Sequence, residues 1–228
     1  MVFAGFQKLT LLDFPGRMAC ILFTKGCNMR CPFCHNGSLV RADGVEEYTE
    51  EEILEYLKKR QGILEGVVIS GGEPLLHNGL GDFLKRVKDL GYGVKLDTNG
   101  SFPQKLKALV AEGLVDYVAM DIKNSPEKYS LTAGVDVDMD AIRESIEFLM
   151  SGAVDYEFRT TVVKELHTIE DIENAAKWIK GAKRYYLQNF VDSGDILGGN
   201  HNPWDEIVVE NMKKIAENYV LKAETRGV

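Results

Sequence analysis

The chain has 228 residues, 45% of them hydrophobic, with 35 acidic against 27 basic side chains and a formal charge of −8. This length and apolar content support one domain with a substantial core, and no apolar run reaches the length of a membrane span. The acidic balance argues against a general nucleic-acid binder, which carries a basic patch, and leaves protein partners open.

The segment 1–14 lacks the charged head, long apolar core and small-residue cleavage site of a secretory signal, so a cytoplasmic location is expected. Residues 4–14 mix apolar and polar side chains, and Phe14-Pro15-Gly16-Arg17 reads as a turn. Residues 19–24 form a buried-type strand. Within it Cys20 reads as a small buried residue without an evident disulfide partner. A loop with three cysteines follows. Thr49 and Glu52 make a capping box ahead of a helix whose apolar face is Ile53, Leu54 and Leu57. Residues 66–70 are a second strand closed by a glycine-rich turn. The alternation continues with a helix at 80–90, a strand at 93–96, a proline-started helix at 103–111 and a strand at 117–120. A helix at 140–150, a strand at 156–163, a helix at 168–179, a strand at 185–187, a helix at 206–218 and a last strand at 219–224 complete the pattern.

Strands alternating with helices predict parallel pairing through right-handed crossovers. Six such units, fewer than a closed eightfold barrel needs, predict an α/β fold: a partial (β/α)6 barrel of mainly parallel strands. The alternative is a doubly wound open sheet. Residues 1–228 are expected to form a single domain. The weakly patterned stretches 35–48, 124–137 and 190–203 all follow predicted strands and are candidate lid or partner-binding loops.

The chemistry gathers at strand ends, where parallel α/β folds build their sites. Cys27-Asn28-Met29-Arg30-Cys31-Pro32-Phe33-Cys34 places three soft thiolate ligands in one loop. A closed zinc site wants four ligands, and His35 could be the fourth, but zinc knuckles pair two close ligands with a distant second pair that is missing here. A cubane iron–sulfur cluster is normally held by four thiolates, so three leave one iron open to a substrate. After the second strand, Ser70-Gly71-Gly72-Glu73-Pro74 lets backbone groups approach a ligand closely; an ordinary strand-to-helix turn is the plainer reading.

Cys-x3-Cys-x2-Cys with an aromatic before the last cysteine, followed by Gly-Gly-Glu-Pro, resembles the radical S-adenosylmethionine (SAM) superfamily. Leu96-Asp97-Thr98-Asn99-Gly100 and Met120-Asp121-Ile122-Lys123 resemble its glycyl-radical-enzyme activating family. The run from Gln7-Lys8-Leu9-Thr10 through Cys34-His35-Asn36 looks like the anaerobic ribonucleoside-triphosphate reductase activating proteins. The resemblance implies a radical SAM core with a 4Fe-4S cluster on Cys27, Cys31 and Cys34. SAM would chelate the open iron, and Gly71, Gly72 and Glu73 would receive its amino group. Phe33 would lie against the adenine, and Asn36 would bond cluster sulfide or adenosine, or simply finish the turn. Asp97, Thr98, Asp121 and the carbonyl of Met120 would surround a monovalent cation beside the cofactor carboxylate. Lys123 would contact the cofactor, and Arg159, Gln188 and Asn189 would lie near the methionine carboxylate, the ribose or a peptide substrate.

Each residue also has a plainer role. The aspartates could cap helices, Lys123 could be solvated, and Arg159 could be an ion-pair partner at the core edge. Bulky side chains at Gly71 and Gly72 are expected to weaken cofactor binding without removing iron. The implied activity is reduction of the cluster, homolysis of SAM and hydrogen abstraction from a glycine of a partner enzyme. Anaerobic ribonucleotide reductase is the expected partner, a flavodoxin or ferredoxin the expected electron donor, and neither nucleic acid nor membrane is expected. A radical SAM enzyme acting on a small molecule and a non-catalytic metal-binding module are the competing readings.

Overall fold

The computed structural model describes residues 1–41 and 46–227. In chain order the strands are β1 (Val2–Phe3), β2 (Gly5–Thr10), β3 (Ala19–Thr24), β4 (Tyr48–Thr49), β5 (Gly66–Gly71), β6 (Gly93–Thr98), β7 (Tyr117–Asp121), β8 (Asp155–Val162), β9 (Tyr185–Asn189) and β10 (Ala223–Arg226). The helices are α1 (Gly37–Arg41), α2 (Glu50–Arg60), α3 (Leu80–Asp89), α4 (Pro103–Ala111), α5 (Tyr129–Ala133), α6 (Met139–Met150), α7 (Ile169–Trp178) and α8 (Glu206–Ala216).

Eight strands form one sheet in the order β10-β9-β8-β7-β6-β5-β3-β2. All neighbours are parallel except β2, which runs antiparallel to β3. From β3 onward each strand lies beside its predecessor in the sheet. That order winds always in one direction, as right-handed crossovers require, and gives a partial barrel. A doubly wound sheet would reverse direction midway. Among the described residues β2 and β10 have no mutual pairing, so the barrel is open on one side.

The alternation of side chains along each strand sorts the core into two layers. Val67 and Ile69 of β5 point outward and are buried with Ile53, Leu57, Phe83 and Val87 of the helices. Val68, between them, points inward and joins Phe14, Ala19, Ile21 and Tyr117 in a separate apolar cluster inside the barrel. Each fully buried large side chain contributes about 1.5–3 kcal/mol. Caps place the helices: Thr49 and Glu52 form the expected box on α2, and Thr168 and Asp171 form one on α7.

Four segments differ from their sequence pattern. Residues 4–14 contain β2, an edge strand whose Gln7, Lys8 and Leu9 are all exposed, so the period of two is lost. The stretch 35–48 contains α1 and β4, while its residues 42–45 lie outside the described residues. The stretch 124–137 holds α5, whose Tyr129, Thr132 and Ala133 are buried. The last strand is Ala223–Arg226 rather than 219–224, because Tyr219 and Val220 are spent on turn hydrogen bonds closing α8.

Candidate active site

A cleft of about 400 Å3 opens at the C-terminal ends of the strands, and Cys27, Cys31 and Cys34 all line it. Their loop is held from several directions. Gly26 N–H donates to the Leu39 carbonyl at 2.9 Å, and Arg30 N–H to the Ala133 carbonyl of α5 at 2.8 Å. The Arg30 guanidinium donates to the carbonyls of Cys27 and Met29. The segment after β9 crosses the loop as a strap: Leu197 N–H donates to the Cys34 carbonyl and Gly198 N–H to the Pro32 carbonyl, both at 3.0 Å. Asp195 anchors that strap. Its carboxylate accepts from Ser38 N–H and Oγ and from Arg41, and its carbonyl accepts from Gly37 N–H at 2.9 Å.

None of the three cysteines is in a disulfide. Burial pushes the Cys31 thiol up to about 11 and raises Cys27 as well, so iron must displace protons to bind here. Among the described residues, no three His, Cys, Asp or Glu side chains gather as a single-ion site. Three sulfurs facing one cleft suit a cluster, in which each thiolate takes a different iron. His35 lines the same cleft. Cys20 is fully buried in the outer layer, away from it.

The glycine turn is locked to the cysteine loop. Gly72 N–H donates to the Thr24 carbonyl at 3.0 Å and Glu73 N–H to the Gly26 carbonyl at 2.8 Å. Gly71 has φ of +110°, and a Cβ there would lie 2.4 Å from Thr24 N, so only glycine fits. Asn36 Nδ2 donates to the Gly71 carbonyl at 3.3 Å, which leaves Asn36 finishing the turn. Both glycines and Asn36 line the cleft. Glu73 does not face it: the carboxylate is fully buried and accepts from Leu75 N–H at 3.0 Å, Thr98 Oγ1 at 2.9 Å and Asn99 N–H at 2.7 Å. Burial pushes it up to about 7, against those donors. It ties the ends of β5 and β6 together.

The next strand ends divide by face. Asp97 of β6 and Asp121 of β7 point inward and line the cleft together with Lys123 and Arg159. Asp121 and Arg159 are cross-strand partners in register. Arg159 donates to Asp121 Oδ1 through Nε at 3.1 Å and to Asp97 Oδ2 through Nη1 at 3.3 Å, with Nη2 in ion-pair contact with Asp121 Oδ1 at 3.0 Å. Lys123 donates to Asp121 Oδ2 at 2.9 Å. Burial raises the Asp121 carboxyl, but Lys123 and Arg159 outweigh it and hold the group down at about 2. Asp97 is likewise held low by Arg159 and Lys95 against burial. Thr98 reaches the cleft but spends its hydroxyl on Glu73 and on Gly100 N–H. Met120 points to the opposite face and is buried in the outer layer.

Phe33 lines the cleft, buried, with its ring edge-on to His167. Gln188 lines it too, whereas Asn189 pairs with the Trp204 backbone outside. Sequence reasoning passed over Asn99, whose Nδ2 donates to Asn28 Oδ1 at 2.9 Å and lies 3.8 Å from Cys27 Sγ. It also passed over Lys95, buried beside Asp97. Their signals were present: Asn99 belongs to the Asp-Thr-Asn-Gly run, and Lys95 is two residues before Asp97, hence on the same strand face.

Comparison with known proteins gives a consistent result. Residues 21–179 match the Radical SAM superfamily. A Methanocaldococcus jannaschii protein provisionally named a glycyl-radical enzyme activating enzyme is 33% identical over 196 residues, 82% of this chain and 79% of its own length. A Thermococcus kodakarensis protein, provisionally named a GTP 3′,8-cyclase, is 33% identical over 163 residues, 69% of this chain but 52% of its own. Among solved structures, a domain of pyruvate-formate lyase-activating enzyme from Bacteroides vulgatus superposes with a TM-score of 0.59 at 22% identity, over 72% of this chain and 99% of that one; this last likeness shows the fold alone.

Proposed function

This chain belongs to the radical SAM superfamily and, within it, to the glycyl-radical enzyme activating family, and we propose that it installs a glycyl radical on a partner polypeptide, with anaerobic ribonucleotide reductase as that partner. A 4Fe-4S cluster and SAM are its cofactors, and when bound they supply the reductive cleavage that yields a 5′-deoxyadenosyl radical. The chain's own residues bind and orient. Cys27, Cys31 and Cys34 would hold the cluster. Gly71 and Gly72 present backbone to the amino group of SAM. Lys123 and Arg159 offer positive charge to its carboxylate, and Phe33 offers an apolar face to the adenine while excluding water.

The observation that carries the choice of a polypeptide substrate is the rim of the cleft. Gln7 and Asp13 line the cleft, and the segment between them exposes Leu9, Leu11 and Leu12, the last by 88%. Grouped exposed apolar side chains mark a protein-binding surface. The volume supports the same reading: about 400 Å3 lies near the lower end of small-molecule pockets, and cluster and cofactor would share it. In this proposal residues 1–228 act as one domain, a flavodoxin or ferredoxin supplies the electron, and the protein works in the cytoplasm, where its thiols stay reduced. A small-molecule radical enzyme is the second reading, favoured by the likeness to the cyclase over 69% of this chain.

The test is anaerobic incubation of the reconstituted protein with SAM, a reductant and candidate glycyl-radical proteins, read by electron paramagnetic resonance. The expected result is a doublet on the partner whose splitting is lost when its glycine is deuterated at the α-carbon. Consumption of a small metabolite in step with 5′-deoxyadenosine, with no partner accepting the radical, would overturn the reading.

A further inference from the structure

The resemblance noted above implies a monovalent cation among Asp97, Thr98, Met120 and Asp121, and the side chains here do not fit one. All four carboxylate oxygens accept from protein donors. Asp97 Oδ1 takes the Lys95 ammonium, and Asp97 Oδ2 takes Ser70 Oγ at 3.0 Å and Arg159 at 3.3 Å. Asp121 Oδ1 takes Arg159 and Asp121 Oδ2 takes Lys123. The Thr98 hydroxyl is committed to Glu73 and Gly100. A hard cation needs free oxygen ligands, and these side chains offer it donors instead.

Lys95 is the unusual member. It is 1% exposed, and lysine is almost never buried so completely unless paired. Its partner is Asp97, on the same strand and the same face. Lys95 does not line the cleft, whereas Asp97, Asp121, Lys123 and Arg159 do. Without Lys95 the group would be two cations against two carboxylates, electrically neutral. With it the group carries one positive charge in excess, the same balance that a bound monovalent ion would give.

We infer that the Lys95 ammonium is a built-in replacement for the monovalent cation, so that this chain binds the carboxylate of its SAM cofactor without sodium or potassium. Lys95 is thus a positioning residue. It fixes Asp97, frees Arg159 to bridge both aspartates, and supplies the excess charge that an anionic carboxylate meets at Lys123 and Arg159. The inference rests on the reading that SAM occupies this cleft.

The test is the SAM dissociation constant of the cluster-loaded protein, measured by anaerobic equilibrium dialysis in sodium, potassium or choline chloride at constant ionic strength. The wild type should vary less than about twofold among the three salts. Lys95→Met, which keeps length and loses charge, should bind about tenfold more weakly in choline and recover most of that loss in potassium or sodium. A merely structural lysine would give a loss that no salt restores, and that result overturns the inference. So does a wild type whose affinity rises severalfold on adding potassium. Calorimetry with thallium(I) nitrate reads the cation site without SAM: no one-to-one binding is expected for the wild type, and its appearance there would overturn the inference even if Lys95→Met failed to fold. Failure of SAM to bind in every salt would instead refute the assignment of the cleft to SAM, and the thallium result would still decide the cation question.

Discussion

A Cβ placed on Gly72 would sit 1.8 Å from the carbonyl oxygen of Gly26, the residue immediately before Cys27. The glycine turn and the cysteine loop therefore share one backbone contact surface. The same carbonyl accepts from Glu73 N–H, so displacing it breaks a hydrogen bond as well.

Gly72→Ala is accordingly expected to disturb iron binding along with SAM binding. This revises the expectation from sequence that substitutions in the turn would spare the iron. Iron per chain after anaerobic reconstitution should fall well below that of the wild type. Full iron content with weakened SAM affinity would restore the earlier view.

Replacement of Cys27, Cys31 or Cys34 by Ala should each abolish the cluster, because each supplies a sulfur to the same cleft. Cys20→Ala should keep the iron and lose about 1 kcal/mol of stability, the usual size of a buried truncation, since Cys20 is fully buried in the outer layer. Iron analysis and denaturant titration separate the two outcomes. Stoichiometric zinc with no iron uptake by the wild type would refute the cluster assignment.

Asp195→Ala should loosen the strap without unfolding the chain. The carboxylate is half-buried and joins Ser38 and Arg41, so the loss is on the order of 1 kcal/mol. Roughly fivefold faster release of iron to a chelator is expected, with little change in the thermal midpoint. Unchanged iron release would mean that the strap does not guard the cluster.

His167 should make stability depend on pH. It is fully buried, Nε2 meets the Lys123 carbonyl at 2.8 Å, and Nδ1 accepts from Val163 N–H at 3.1 Å, so the neutral ring fits. Burial lowers its folded pKa below the ordinary 6.5. The unfolded chain therefore takes up the proton first as pH falls. The stabilisation is fully present above about pH 6.5 and is lost progressively below it. Relative to His167→Gln, the wild type should lose denaturant midpoint as the pH falls from about 6.5 to 5.5. Parallel curves for the two proteins would contradict this.

The alternation of strands and helices made the parallel core legible because β3, β5, β6, β7 and β8 carry buried-type runs and most helices carry caps or a clear apolar face. What escaped was decided by neighbours rather than by local pattern. β2 is exposed at Gln7, Lys8 and Leu9, loses the alternation there, and is a strand only because it pairs with β3. The three cysteines, singled out by their spacing, do line one cleft. The withdrawal of the Glu73 carboxylate from the cleft was not legible from its motif, because a motif names residues without saying which way each side chain turns. For Lys95 the period of two already held the answer, since Asp97 two positions on faces the same way.

The strap that covers the cysteine loop also orders events in time. Asp195 follows Ser38 by 157 positions, and synthesis at about 5–20 residues per second takes about 8–30 s to cover that interval. For that period the three thiols have left the ribosome without the segment that will close over them. The sheet beside them is also incomplete, since β9 precedes Asp195 by only a few residues. The cysteine loop therefore gains its full set of backbone contacts only once the chain has been made as far as residue 198.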